Sequence, residues 1–180
     1  MILEGEALAK WIDQQPTTWV KFTLKSKNLT TREAWERTLN EAFAELRNTY
    51  PKPNEKRRRK NAGMPTLLHA TFMGGEKQNG VLLHAQGVVE LIDNDLDRLQ
   101  RALGKSWSHA INRTIGTHYK GDPIKARVEE APWLEIINDS VYNYIYYLMR
   151  HEGAELGIGT DKLVTGATVL VAEHNLQFPP

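Results

Sequence analysis

Thr66-Leu-Leu-His-Ala-Thr-Phe-Met73 runs through Gly74-Gly-Glu-Lys-Gln-Asn-Gly80 into Val81-Leu-Leu-His-Ala-Gln-Gly-Val-Val-Glu-Leu-Ile92. Two apolar runs separated by a glycine-rich polar segment predict a β-hairpin. Asn79-Gly80 supplies the positive backbone angles that hairpin turns require. Upstream, Thr18-Trp-Val-Lys-Phe-Thr-Leu-Lys25 alternates with period two. Trp19, Lys21, Thr23 and Lys25 share one face and Val20, Phe22 and Leu24 the other, the pattern of a half-buried strand.

Between these strands, Thr30 and Glu33 read as a capping box opening a helix. Its stripe of Trp35, Leu39, Ala42, Phe43 and Leu46 faces a core, and Pro51 and Pro53 end it. Lys52 to Gly63 carries five consecutive cations, Lys56-Arg-Arg-Arg-Lys60. Such a run resists burial and reads as a solvated loop, either solubilising or in contact with phosphates. After the hairpin, Asp93-Asn-Asp95 caps a helix through Leu96, Leu99, Ala102 and Leu103 that Gly104 closes. Residues 105–121 are ambiguous. Ile124-Lys-Ala-Arg-Val-Glu-Glu130 alternates as a strand. Asp139-Ser140 caps a helix from Val141 to about Glu155, and Val164 to Ala172 reads as a last strand.

This order predicts one α+β domain over residues 1–180: a central antiparallel sheet of about five strands packed with helices, of ferredoxin-like type. The 180 residues are 41% hydrophobic and 25% charged, with a net charge of +1 and no cysteine. This composition excludes wholesale disorder, a disulfide framework, a thiolate zinc site and a cysteine nucleophile. No apolar run approaches the ~20 residues of a membrane span, and the N-terminus lacks a signal-peptide core. The expectation is a cytoplasmic protein with no membrane partner.

Two groups of residues carry chemistry. His84 and Gln86 alternate on one strand, so an imidazole and an amide project together with Cα atoms about 6–7 Å apart. An imidazole nitrogen and an amide oxygen joined by a carboxylate suit Mg2+ or Mn2+ better than zinc. If the hairpin pairs residues whose numbers sum to about 158–160, Glu76 lies on the face of His84 and supplies that carboxylate. His69 has the wrong parity and stands as the alternative ligand. The second group is Val141-Tyr-Asn-Tyr-Ile-Tyr-Tyr-Leu-Met-Arg150, which holds four of the six tyrosines. A tyrosine packs its ring and keeps its hydroxyl at a rim, but four on one short helix cannot all be core.

In this order the features resemble the HUH endonucleases: rolling-circle replication initiators, conjugative relaxases and single-strand transposases. Leu82-Leu-His-Ala-Gln-Gly-Val-Val-Glu90 is similar to the second motif of circovirus-type initiators, in which glutamine replaces a histidine. Tyr147-Leu-Met-Arg150 resembles the Tyr-x-x-Lys motif with arginine for lysine, and Val20-Lys-Phe-Thr-Leu24 resembles the strand of the first motif. The resemblance spans roughly residues 18–173. Asn143 stands where some relatives carry a second tyrosine.

The resemblance implies a metal-dependent endonuclease that nicks single-stranded DNA at a replication or transfer origin and rejoins strands through a 5′-phosphotyrosine. Tyr147 would be the nucleophile, with Tyr144 and Tyr146 as secondary candidates, and Arg150 would neutralise the phosphate. His84, Gln86 and Glu76, or alternatively His69, would hold the metal. Lys21, Lys25, Lys56, Arg57, Arg58, Arg59 and Lys60 would contact DNA, and Trp19 would stack bases. A bacterial, archaeal or viral replicon fits, and without a G-x-x-x-x-G-K-[ST] motif a separate helicase would unwind. The alternatives are a non-catalytic ferredoxin-like nucleic-acid-binding module, or a relaxase or transposase of the same superfamily.

Overall fold

The computed structural model describes residues 2–74, 83–118, 131–150 and 162–170. Helix α1 (Ile2–Asp13) precedes strand β1 (Trp19–Lys25), helices α2 (Arg32–Thr49) and α3 (Pro53–Asn61), and the hairpin strands β2 (His69–Gly74) and β3 (His84–Glu90). Helix α4 (Leu96–His118), strand β4 (Trp133–Ile136) and helix α5 (Val141–Met149) follow. A single 3-10 turn covers Thr165–Ala167. The four strands form one antiparallel sheet in the order β2-β3-β1-β4, so the fold is α+β with an open sheet.

The hairpin pairs as its spacing predicts, with Gly74 opposite His84 and Phe72 opposite Gln86. Directly opposed residues share a face, so the register sorts the whole sheet. One face carries Val20, Phe22, Leu24, Ala85 and Val89, packed under Trp35, Leu39, Phe43 and Leu46 of α2 and Leu99, Leu103, Trp107 and Ile111 of α4. The other carries Trp19, Ala70, Phe72 and Val88, which pack against Ala9 and Ile12 of α1 and Ile145, Leu148 and Met149 of α5. Helices α1 and α5 cover only part of this second face. Lys21, Thr23, Lys25, His84, Gln86, Trp133 and Glu135 share its parity, and none of them is buried.

Several sequence expectations change. The α2 cap is Thr31 rather than Thr30, and its hydroxyl accepts from the Ala34 amide at 3.1 Å. Helix α4 runs through Gly104 because Trp107, Ala110 and Ile111 continue the stripe of Leu99 and Leu103; burying that continuation outweighs the roughly 1 kcal/mol cost of a mid-helix glycine. Four strands, not five, form the sheet among the described residues. The Ile124–Glu130 strand lies outside them. In place of the expected last strand, the described residues 162–170 make two isolated bridges, His69 with Val169 and Phe72 with Leu163, around the 3-10 turn. Helix α5 ends at Met149, with Arg150 extended as its cap, short of the expected Glu155.

The cationic run is not a loop. Pro53 opens α3 at its first turn, Glu55 accepts from the Lys52 amide, and Arg58, Arg59 and Lys60 complement the negative end of the helix dipole. Arg59 points inward, forms a bidentate pair with the Glu90 carboxylate and donates to the Pro65 carbonyl at 3.2 Å. Alternating helical faces therefore divide the run: one cation anchors α3 to β3 while Arg57, Arg58 and Lys60 stay exposed.

His69 is fully buried and stacks on Phe43 with centroids 4.5 Å apart. Its Nε2 faces an Arg47 guanidinium nitrogen at 3.0 Å and its Nδ1 faces the Ala167 carbonyl at 2.9 Å. Arginine only donates and a carbonyl only accepts, so the ring is the neutral Nδ1–H tautomer. Burial, opposed by the Ala167 bond and reinforced by Arg47, pushes its pKa from 6.5 down to about 3. Between those values the unfolded chain takes up a proton that the folded chain refuses. Stability is therefore fully present above pH 6.5 and falls by about 1.4 kcal/mol per pH unit below it. Urea midpoints measured from pH 7 to 4 should drop less steeply for His69→Gln than for the parent chain. Parallel pH profiles would show that His69 does not control acid unfolding.

Candidate functional site

The uncovered part of the second sheet face gathers residues from three strands. Gln86 opposes Thr23, and Thr23 opposes Trp133, so these three form one transverse row. The next row pairs His84 with Lys25 and Gly74. Period-two alternation thus brings His84 and Gln86 to one face, as the sequence predicts. The Gln86 amide nitrogen donates to Thr23 Oγ1 at 3.5 Å, an orientation that turns its carbonyl oxygen away from Thr23.

The flanking glycines do different work. A Cβ at Gly87 would lie 2.1 Å from the Ala70 carbonyl oxygen and 2.8 Å from the Phe22 ring, so the residue after His-x-Gln must be glycine for the sheet to pack. A Cβ at Gly74 would lie 2.5 Å from Nε2 of His84. Gly74 therefore sets where the imidazole lies. In Gly74→Ala the ring must swing aside while the backbone stays put, so the His84 imidazole resonances should move with little change in melting temperature. Unchanged His84 resonances in a folded variant would contradict this packing.

Helix α5 crosses the same face, because Val88 shares the parity of His84 and Gln86 and packs with Ile145, Leu148 and Met149. Ser140 caps it, accepting from the Asn143 amide at 3.1 Å. The four tyrosines divide as 3.6-residue periodicity requires. Tyr142 and Tyr146 pack with tilted rings 5.9 Å apart on the α1 side, where the Tyr142 amide donates to Asp13. Tyr144 turns toward the sheet, its ring 5.8 Å from Lys21 Nζ. Burial, then the neighbouring Tyr147 and Glu135, raises the Tyr144 pKa above its usual value, which keeps that phenol protonated. Tyr147 is 67% exposed.

Other site expectations shift with the fold. His69 stands on the opposite face from His84 with both ring nitrogens engaged, so it is excluded as a ligand beside His84 and Gln86. No bulge reverses its parity. Glu76 lies outside the described residues. Among the described residues no three His, Asp or Glu side chains converge as a metal site. Arg59 is closed to DNA by its pair with Glu90, and the Lys56 amine is drawn to the Asn48 carbonyl at the end of α2. Trp19 is buried, its indole N–H donating to the Ile12 carbonyl at 3.1 Å, so it stacks no base. Arg150 is exposed but lies beyond the helix, and its carbonyl accepts from Lys162 Nζ at 2.8 Å.

Two residues escaped the sequence reading. Lys162 adds a second cation beside the Tyr147–Arg150 turn, brought there by a chain return that no local pattern announces. Trp133, 52% exposed, is presented on the open sheet face beside Lys21. Its signal was legible, since Trp133-Leu-Glu-Ile136 alternates like a strand. Among the described residues no helix is long and apolar enough to cross a membrane. Comparison of the chain with family models, curated proteins and solved structures found no match.

Proposed function

We propose that the chain is a metal-dependent, single-stranded DNA nicking and strand-transfer endonuclease of the HUH type, working through a 5′-phosphotyrosine. One observation carries this reading: His84, Gln86 and the tyrosine helix α5 occupy the same face of one antiparallel sheet. The strand order β2-β3-β1-β4, with a helical connection between β1 and β2 and another between β3 and β4, agrees with a ferredoxin-like arrangement. The His-x-Gln strand is internal, which suits a site that must hold its geometry.

The donor set fits a hard or borderline divalent cation as far as it is described. An imidazole and an oriented amide oxygen stand side by side, and Glu76 is the candidate for the carboxylate. Mg2+ or Mn2+ bound there would supply Lewis-acid stabilisation of negative charge on the scissile phosphate. The rest falls to the chain's own groups. The Tyr147 oxygen attacks phosphorus, the P–O3′ bond breaks, and the 3′ oxygen leaves and takes up a proton as a 3′-hydroxyl. The tyrosine proton is released as the new P–O bond forms. Arg150, three residues after Tyr147, and Lys162, whose amine donates to the Arg150 carbonyl, would balance phosphate charge, and Arg57, Arg58 and Lys60 would add salt-dependent affinity without base choice. The bond energy stays in the phosphotyrosine, so the same site can rejoin a strand by the reverse reaction.

The test is cleavage of a labelled single strand in Mn2+ against EDTA. His84→Ala and Gln86→Ala should each lower metal-dependent nicking at least tenfold with far-UV circular dichroism unchanged, consistent with the typical cost of losing a metal-site interaction. Equal rates in Mn2+ and EDTA would overturn the assignment. The exposed Trp133 beside Lys21 favours one second reading, a non-catalytic nucleic-acid-binding module. Binding without any nicking across origin libraries would select it.

A further inference from the structure

Lys21 is held among three groups at the edge of the open sheet face. Its Nζ lies 3.1 Å from Glu135, 5.5 Å from the Trp133 ring centre and 5.8 Å from that of Tyr144. Both ring distances are within the ~6 Å reach of a cation–π contact. Trp133 and Tyr147 are the two large exposed hydrophobics among the described residues, and Trp133 stands on this face. A pocket of 610 Å³ opens here, lined by Lys21, Glu135, Asn138, Ser140, Asn143 and Tyr144 among others. Its size suits a small ligand, since such pockets run about 300–1,000 Å³.

Trp133 does not line this pocket but stands beside it across Lys21, and pocket and indole together present groups that match the parts of a nucleotide. An exposed indole offers a flat surface on which any base can stack. The Lys21 amine offers a point charge for a phosphate. Asn138, Ser140 and Asn143 offer side-chain donors and acceptors to sugar or base edges. Two carboxylates oppose a phosphate here: Glu135 pairs with Lys21, and Asp139 adds a second acidic side chain to the lining. That ion pair is half-exposed and weak, so an incoming phosphate can displace it.

We infer that Trp133, Lys21 and Tyr144 form a subsite for one nucleotide of a single-stranded nucleic acid, with Glu135 as an internal competitor for the phosphate. The inference rests on the nucleic-acid reading above and adds the place where the strand is gripped beside the His84–Gln86 row. Gln86 and Trp133 lie in one row with β1 between them, about 10 Å apart at the backbone. The gripped nucleotide therefore flanks the one whose phosphate reaches His84. Glu135 keeps the subsite from holding free anions tightly, and the strand gains its grip only when base stacking and phosphate exchange occur together.

The experiment is fluorescence anisotropy of a labelled single-stranded oligothymidylate with the full chain in EDTA, with nicking in Mn2+ measured in parallel. Trp133→Leu should weaken binding roughly five- to a hundredfold, the range for losing one stacked base. Trp133→Phe should recover part of the loss, and Glu135→Gln should tighten binding. A duplex probe of the same length should be indifferent to Trp133→Leu, because paired bases cannot reach the ring. Unchanged single-strand affinity in Trp133→Leu overturns the subsite, and weaker or unchanged binding in Glu135→Gln overturns the competition. Binding that obeys these rules in a chain that never nicks would defeat the endonuclease reading and leave the subsite standing. Nicking that persists with affinity indifferent to Trp133 would do the reverse.

Discussion

Arg59→Ala should lower the free energy of unfolding by about 3–5 kcal/mol, because it leaves the Glu90 carboxylate buried without its counter-charge. The Glu90 side chain is only 4% exposed and that of Arg59 10%. The carboxylate also accepts from Thr17 Oγ1 at 2.9 Å and from the Leu68 amide at 3.0 Å. These two donors hold it in place but leave its charge unbalanced. In a chain of this size the loss amounts to roughly 10 °C in melting temperature. The double variant Arg59→Met with Glu90→Leu removes both charges and should recover part of the stability, since a buried ion pair costs much of what it gains in desolvation while the Leu68 amide loses its acceptor. Arg57→Ala and Arg58→Ala, on the exposed side of α3, should stay within about 0.5 kcal/mol of the parent chain. Thermal and urea melts on these variants make the comparison, and equal losses at Arg57 and Arg59 would contradict the buried pairing.

On the proposed function, Tyr147→Phe should abolish the covalent protein–DNA adduct, while Tyr144→Phe and Tyr146→Phe should retain it. Of the candidate nucleophiles, Tyr147 alone is well exposed on the helix that crosses the His84–Gln86 face. The Tyr144 phenol is held protonated by burial and by its neighbours, and the Tyr146 ring packs tilted against Tyr142 toward α1. Phenylalanine removes one exposed hydroxyl, so stability should change by less than about 0.5 kcal/mol. A 3′-labelled single strand, incubated with each variant and Mn2+ and resolved on a denaturing gel, reads the adduct directly. Loss in Tyr144→Phe with retention in Tyr147→Phe would move the nucleophile one turn toward the N-terminus of α5.

Several features of this protein follow from local patterns in the sequence. Period-two alternation identified β1 and the hairpin strands, and it placed His84 and Gln86 on one face. That conclusion holds whatever packs nearby, because strand geometry sends alternate side chains to the same side. The α2 stripe and the Ser140 cap were equally legible, since both depend on neighbours within a few residues. Even the wrong parity of His69 was readable, and the register shows why it stands on the opposite face.

Tertiary contacts decided the remainder. Arg59 is one of five similar cations in sequence, and only the approach of Glu90 from β3 separates an anchor from a solvated charge. Trp19 and Trp133 share a sheet face, yet α1 buries the first and nothing among the described residues covers the second. Gly104 ends a helix by local preference, but the burial of Trp107 and Ile111 under the sheet carries α4 past it. In each case the local free energies differ by about 1 kcal/mol or less between alternatives, while burying one large side chain, or leaving one buried charge unpaired, changes the balance by about 2–5 kcal/mol. Where the local preference is that small, the partner brought from elsewhere in the chain determines the outcome, and no local pattern names that partner.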